Sequence, residues 1–179
     1  MKILAILFLF SGLSFSQNFK TFVMDMKYFG CKYPSDWKVE RDKEKDARSG
    51  IYKVVFINSK DNKNTVTIKY YSSKSGKDYK SFIETQSKTS DGAKESATEK
   101  YEDVKNIKIT ERKAFEINRK LKEFESVEMK SNSYWLKERL IVIPAKKGFY
   151  ALTFSSKEEN FEGYKELFES ILKSFKPLY

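Results

Sequence analysis

Near its C-terminus the chain reads "SYWLKERLIVIPAKKGFYALTFSSKEENFEGYKELFESILKSFKP", two alternating runs, a tight turn at Lys146-Lys147-Gly148 and one amphipathic helix. No other stretch limits the fold as sharply. Strands joined by so short a turn are antiparallel neighbours. Phe161, Tyr164, Phe168, Ile171, Leu172 and Phe175 recur at three- and four-residue steps, so the helix carries one apolar face that needs a sheet beneath it. Burying such side chains stabilises by roughly 1.5 to 3 kcal/mol each, which outweighs the exposed ion pairs opposite. Ser156 and Glu159 have the spacing of a capping box, Lys173 and Lys176 suit the negative end of the helix, and Pro177 stops it.

Upstream, "IYKVVFI" and "NTVTIKYYSS" around the polar turn "NSKDNKN" predict a second hairpin. "VKNIKITERKAFEINRKLKEF" adds strand with Ile107 and Ile109 on one face and Phe115, Ile117 and Leu121 on one face. The segment "ERDKEKDARSG" reads as a charged loop, and residues 90–102 as an exposed connection. Residues 78–90 read as a short helix with Tyr79, Phe82, Ile83 and Gln86 on one side. Strands follow one another without helices long enough for parallel crossovers. The expected class is α+β, an antiparallel β-sheet flanked by helices.

The first residues have a different character. Lys2, the apolar run "ILAILFLF" and the small-residue exit "SGLSFS" form the three parts of a secretory signal, residues 1–16, with cleavage near Ser16-Gln17. That run is too short to span a bilayer, and no second long apolar run follows, so no transmembrane domain is expected in the mature chain. Residues 17–179 are expected to form a single domain outside the cytoplasm, periplasmic or secreted. Cys31 lies beyond Asp25 and Lys27, too far from the apolar run to be a lipid-bearing first residue, and as the only cysteine it has no intramolecular disulfide partner.

The chain has 35 basic and 25 acidic side chains and no histidine. A net charge of +10 can attract anionic partners over distance, yet glutamates are interspersed and no basic arm forms. The missing histidines remove histidine-based triads and metal sites. Cys31 reads as a packing residue: Lys27 and Lys32 could activate it only by approaching it, and both its neighbours in sequence point away from it along a strand. Glu158/Glu159 are explained by a helix start, Glu123/Glu125 by an exposed strand face, and Asp42/Glu44/Asp46 form no calcium loop. No phosphate-binding glycine loop precedes a helix. No catalytic residue, metal ligand or cofactor is therefore assigned, and the chain reads as a non-enzyme. Tyr70, Tyr71, Tyr79, Tyr134, Trp135, Phe149 and Tyr150 could line a concave site with Lys69, Lys74, Lys77, Lys80 or Arg139 at its rim. Export makes nucleic acid an unexpected partner.

The segment "YFGCKYPSDWKVE" resembles the Tyr-Gly-Phe-x-hydrophobic-x-Tyr-Pro-x-x-Trp pattern of the PsbP-like family, through Tyr28, Phe29, Gly30, Tyr33, Pro34 and Trp37. Here Phe29-Gly30 replaces Gly-Phe and Cys31 stands at an apolar position. "ERKAFEINRKL", the late hairpin and the closing helix resemble that family's later elements, so the likeness spans residues 19–176. The resemblance implies an α/β/α sandwich, similar to the bacterial exported members outside photosystem II. It implies a non-enzymatic binding or assembly module with an envelope or exported protein partner. The alternative is a carrier or sensor holding a small hydrophobic or anionic ligand in a groove.

Overall fold

The computed structural model describes residues 18–125 and 132–178; the expected signal segment lies outside them. The chain runs through β1 (Phe19–Val23), β2 (Phe29–Pro34), β3 (Lys38–Glu40), α1 (Lys43–Ser49), β4 (Ile51–Ile57) and β5 (Thr65–Ser72). It continues through α2 (Tyr79–Gln86), β6 (Glu99–Tyr101), β7 (Lys105–Ile109), β8 (Arg112–Phe124) and β9 (Ser133–Ala145), and ends with β10 (Gly148–Lys157), α3 (Glu158–Ser174) and β11 (Lys176–Pro177). Both predicted hairpins form, and the described pairings are all antiparallel. The class is α+β, as the pattern of strands required.

An eight-stranded sheet has the order β3-β4-β5-β10-β9-β8-β6, with β7 also paired to β8. Side chains alternate between its two faces. The first face carries Val54, Phe56, Ile68, Tyr150, Leu152 and Phe154, on which α3 sets Phe161, Leu167, Phe168, Ile171 and Leu172. A three-stranded sheet, β1-β2-β11, closes the core beside α3. The Tyr-Pro-x-x-Trp segment turns the chain between the two sheets: Tyr33 stacks on Phe56 at 4.8 Å between ring centroids, the Trp37 N–H donates to the Pro34 carbonyl at 3.1 Å, and Trp37 is buried.

Three local expectations are corrected, the first being that residues 99–101 of the expected exposed connection form the edge strand β6, paired with β8. Residues 43–49 of the charged "loop" are the helix α1, started by Asp42, whose carboxylate accepts from the Lys45 N–H at 3.0 Å, and ended by Gly50 at φ 68°. It has almost no apolar periodicity to betray it. Buried Asp46 fixes it instead, accepting from the Lys53 N–H at 3.1 Å and from Arg41 at 3.4 Å. The capping box of α3 does not form. Ser156 is wholly buried at the end of β10 and donates to the Asn64 side chain, so Lys157 is the cap residue and makes no side-chain capping bond. A buried amide oxygen needs a donor, and Ser156 supplies it.

Candidate functional site

The second face of the large sheet is divided. At one end Ile117, Leu140, Val142, Phe149 and Ala151 form an apolar cluster with Tyr71, covered by Tyr79, Phe82 and Ile83 of α2. Tyr71 and Phe149 stack at 4.5 Å, and Phe82 lies 5.2 Å and 5.1 Å from them. Arg119 marks the border. It donates to Glu138 at 2.6 Å and to the Gln86 side chain at 2.8 Å, tying the end of α2 to the sheet. Beyond that border α2 no longer covers the face, α1 stands only along its β4 side, and the same strands change character.

Register places the residues of the open half side by side. Lys53 is opposite Lys69 and Val55 opposite Thr67 across β4 and β5. Thr67 is opposite Thr153, and Thr65 opposite Ser155, across β5 and β10. Ser155 is opposite Glu138, and Glu138 opposite Arg119. Two adjoining hollows result. One, about 520 Å³, lies between α1 and the sheet, with Lys53, Lys69 and Val55 on its sheet side and Arg41, Lys45 and Ile51 among its walls. The other, about 310 Å³, holds Thr65, Thr67, Thr153, Ser155 and Glu138. Its far end is closed by Glu123, which accepts from the Tyr134 hydroxyl at 2.7 Å and lies 3.7 Å from Lys63.

The larger hollow has an unusual charge arrangement. Side chains directly opposed on antiparallel strands have Cβ atoms about 4.5–5.5 Å apart, and like charges there repel. Lys53 and Lys69 are such a pair, and neither makes an ion pair among the described residues. Burial, with the charge of Lys53 added, holds the Lys69 ammonium below the ordinary lysine range, against a smaller opposing pull from Glu138. Of the nearby carboxylates, Asp46 is committed to Arg41 and the Lys53 N–H, and Asp42 to the start of α1. Burial also raises the Tyr71 hydroxyl at the inner wall. Arg41 bridges Asp46 and Asp25 and leaves its buried Nε without a hydrogen-bond partner among the described residues.

The sequence-derived candidates distribute unevenly over this geometry. Lys69 lies in the hollow, Tyr71 at its wall, and Tyr134 at the far end of the open half. Phe149 lies in the cluster under α2 and Tyr79 packs onto that cluster from α2 itself, whereas Tyr70 and Tyr150 face the main core. Lys74 donates to the Ala47 carbonyl at 2.8 Å, Lys77 and Lys80 are exposed outside the lining, and the Lys100 ammonium lies over the Trp135 ring, 5.7 Å from its centroid. Arg139 pairs with Glu116 at 2.8 Å and with Glu169 of α3. Glu158 pairs with Lys120 at 2.5 Å, and Cys31 is buried. No group of three metal-ligating side chains occurs among the described residues. Lys53, Arg41 and Lys45 were not anticipated. The signal for Lys53 was present in "IYKVVFI" and "NTVTIKYYSS", where one lysine interrupts each strand at positions that the hairpin register sets opposite.

The family model of the PsbP-like proteins matches residues 11–177. The chain belongs to the PsbP-like protein family. Among solved structures, this PsbP-like chain is similar to cyanobacterial PsbP (CyanoP) from Synechocystis, at 14% identity, TM-score 0.58, and coverage of 93% of this chain and 95% of that one. It is similar to the Ran-binding protein Mog1p of Saccharomyces cerevisiae, at 9% identity, TM-score 0.51, and coverage of 91% and 97%. A Bacteroides thetaiotaomicron protein matches at 14% identity and TM-score 0.54 over 89% of this chain and 48% of its own. At these identities the likeness is one of fold. No curated protein matches the PsbP-like chain in sequence.

Proposed function

We propose that this PsbP-like chain is an exported binding module without a reaction of its own, and that the open half of its second sheet face holds the ligand. One observation carries the reading. The strands that give apolar side chains to the α2-covered half give Lys53, Lys69, Thr67, Thr153 and Ser155 to the uncovered half, where they line adjoining hollows of about 520 and 310 Å³. Concave, pre-formed surfaces of that size suit a small molecule. The leader pattern in residues 1–16 supports action outside the cytoplasm. No helix of the described residues is long and apolar enough to cross a membrane.

A protein partner from the envelope or the exported pool is the second reading. Exposed Val23, Met26 and Leu178 favour it, gathered near the start of β2 through the Val23–Gly30 pairing and the Leu178 N–H bond to the Tyr28 carbonyl. The fold shared with a Ran-binding protein supports it too. Native mass spectrometry of the protein purified from its own host separates the two readings, comparing wild type with Thr67→Trp, which fills the groove. A bound small molecule present on wild type and absent from the variant is the expected result. Wild type without any adduct, with cross-links to a partner only around Val23 and Met26, would overturn the groove reading in favour of the second. N-terminal sequencing of the same material should begin at Gln17.

A further inference from the structure

We propose that the larger hollow takes a phosphate monoester, its dianionic phosphate held between Lys53 and Lys69 with Arg41 and Lys45 at the rim. The inference rests on the open half being the binding surface and names what binds there. Two ammonium groups opposed across neighbouring strands, Lys53 exposed and Lys69 half-buried, with no ion pair among the described residues, form a positive site whose repulsion added negative charge would relieve. Glu40 is the one lining carboxylate not already committed, and it sits on the exposed outer strand β3 without an ion pair among the described residues. A monoanion would satisfy one lysine and leave the other repelled. A dianion satisfies both, and lysine binds phosphate as a point charge without a strict planar geometry.

The walls fix the rest of the ligand. The hollow, at about 520 Å³, has room for much more than the phosphate, and Ile51, Val55 and the Tyr71 ring offer apolar surface beside the lysines. A phosphate carrying a compact organic body therefore matches the site better than inorganic phosphate alone. Such a group is found on soluble metabolites and on the headgroup of an anionic lipid, and the two differ in how they reach the protein.

Calorimetric titration and thermal melting at constant ionic strength test the proposal, with phenyl phosphate, inorganic phosphate, benzoate, and vesicles of phosphatidic acid or phosphatidylcholine. Wild type should bind phenyl phosphate at least tenfold more tightly than benzoate, and more tightly than inorganic phosphate. Lys53→Met/Lys69→Met should lose that binding by tenfold or more while melting above wild type when no phosphate is present, because the repulsion is gone. Lys173→Met, which removes a charge on α3 far from the hollow, should bind as wild type does. A response to phenyl phosphate assigns a soluble ligand, and one confined to phosphatidic acid vesicles but still lost in the double variant assigns a lipid headgroup. Equal affinity for phenyl phosphate and benzoate, or unchanged affinity in the double variant, would overturn the proposal. If the phosphate probes fail while native protein still carries an adduct that Thr67→Trp removes, the phosphate assignment falls and the groove reading stands.

Discussion

Cys31 is 3% exposed in β2, and burial pushes its thiol up to about 12. A thiol so placed is a packing residue with almost no thiolate at neutral pH. Thiol reagents at pH 7 should leave the native protein unlabelled and react once denaturant is added, and rapid labelling of native protein would place the side chain at the surface. The folded chain keeps a proton that the unfolded chain releases, so this group's stabilisation is lost as pH rises from about 9 towards 12. Lys69 has the opposite sign. Burial and Lys53 lower its folded value, so the unfolded chain binds more protons and stability rises with pH up to the ordinary lysine range. Lys69→Met should accordingly be the more stable protein at neutral pH, with an advantage that shrinks as pH climbs through the alkaline range in chemical denaturation. A difference independent of pH would show that Lys69 titrates as a free lysine.

At the scale of elements, what could be read in advance followed periodicity. The two hairpins and α3 announce themselves because apolar residues recur at two or at three and four positions, and tertiary packing obeys the same periods. Even there Leu167, buried against the sheet, was missed as part of the α3 face. The helix α1 escaped detection because its support is polar: Asp42 at its start, Gly50 at its end and Asp46 in between. Asp42→Ala should cost about 1 kcal/mol in urea denaturation. It should also weaken ligand capture, since α1 is a wall of the larger hollow. Full affinity in that variant would mean that the wall is dispensable. The groove itself was only half legible. Lys69 was among the rim candidates, but its partner becomes visible only when strand register is known, and no local pattern says how much of a sheet α2 covers.

For the molecule as a whole, the two faces of the large sheet differ in how far they are covered. The first face is sealed by α3 and the small sheet, with Phe168, Phe175, Phe29 and Tyr150 almost wholly buried. The second face is sealed over one half, and the boundary is held by the Arg119 links to Glu138 and Gln86. The small sheet depends on both ends of the domain: β1 and β11 flank β2, with Val23 and Lys176 both paired to Gly30. A chain truncated after Phe175 should melt below the full chain and show faster amide exchange in β2, and unchanged exchange there would show that β11 contributes nothing to the pairing.

The same arrangement imposes an order in time. A ribosome or a translocation pore delivers a chain beginning with its N-terminus, so β1 and β2 emerge long before Lys176 is available to them. Until the last few residues arrive, one edge of β2 has no neighbour and the ring of Phe175 is missing from beside Phe29, 5.8 Å away in the finished domain. The small sheet therefore stays open until Phe175 and Lys176 have been delivered to it.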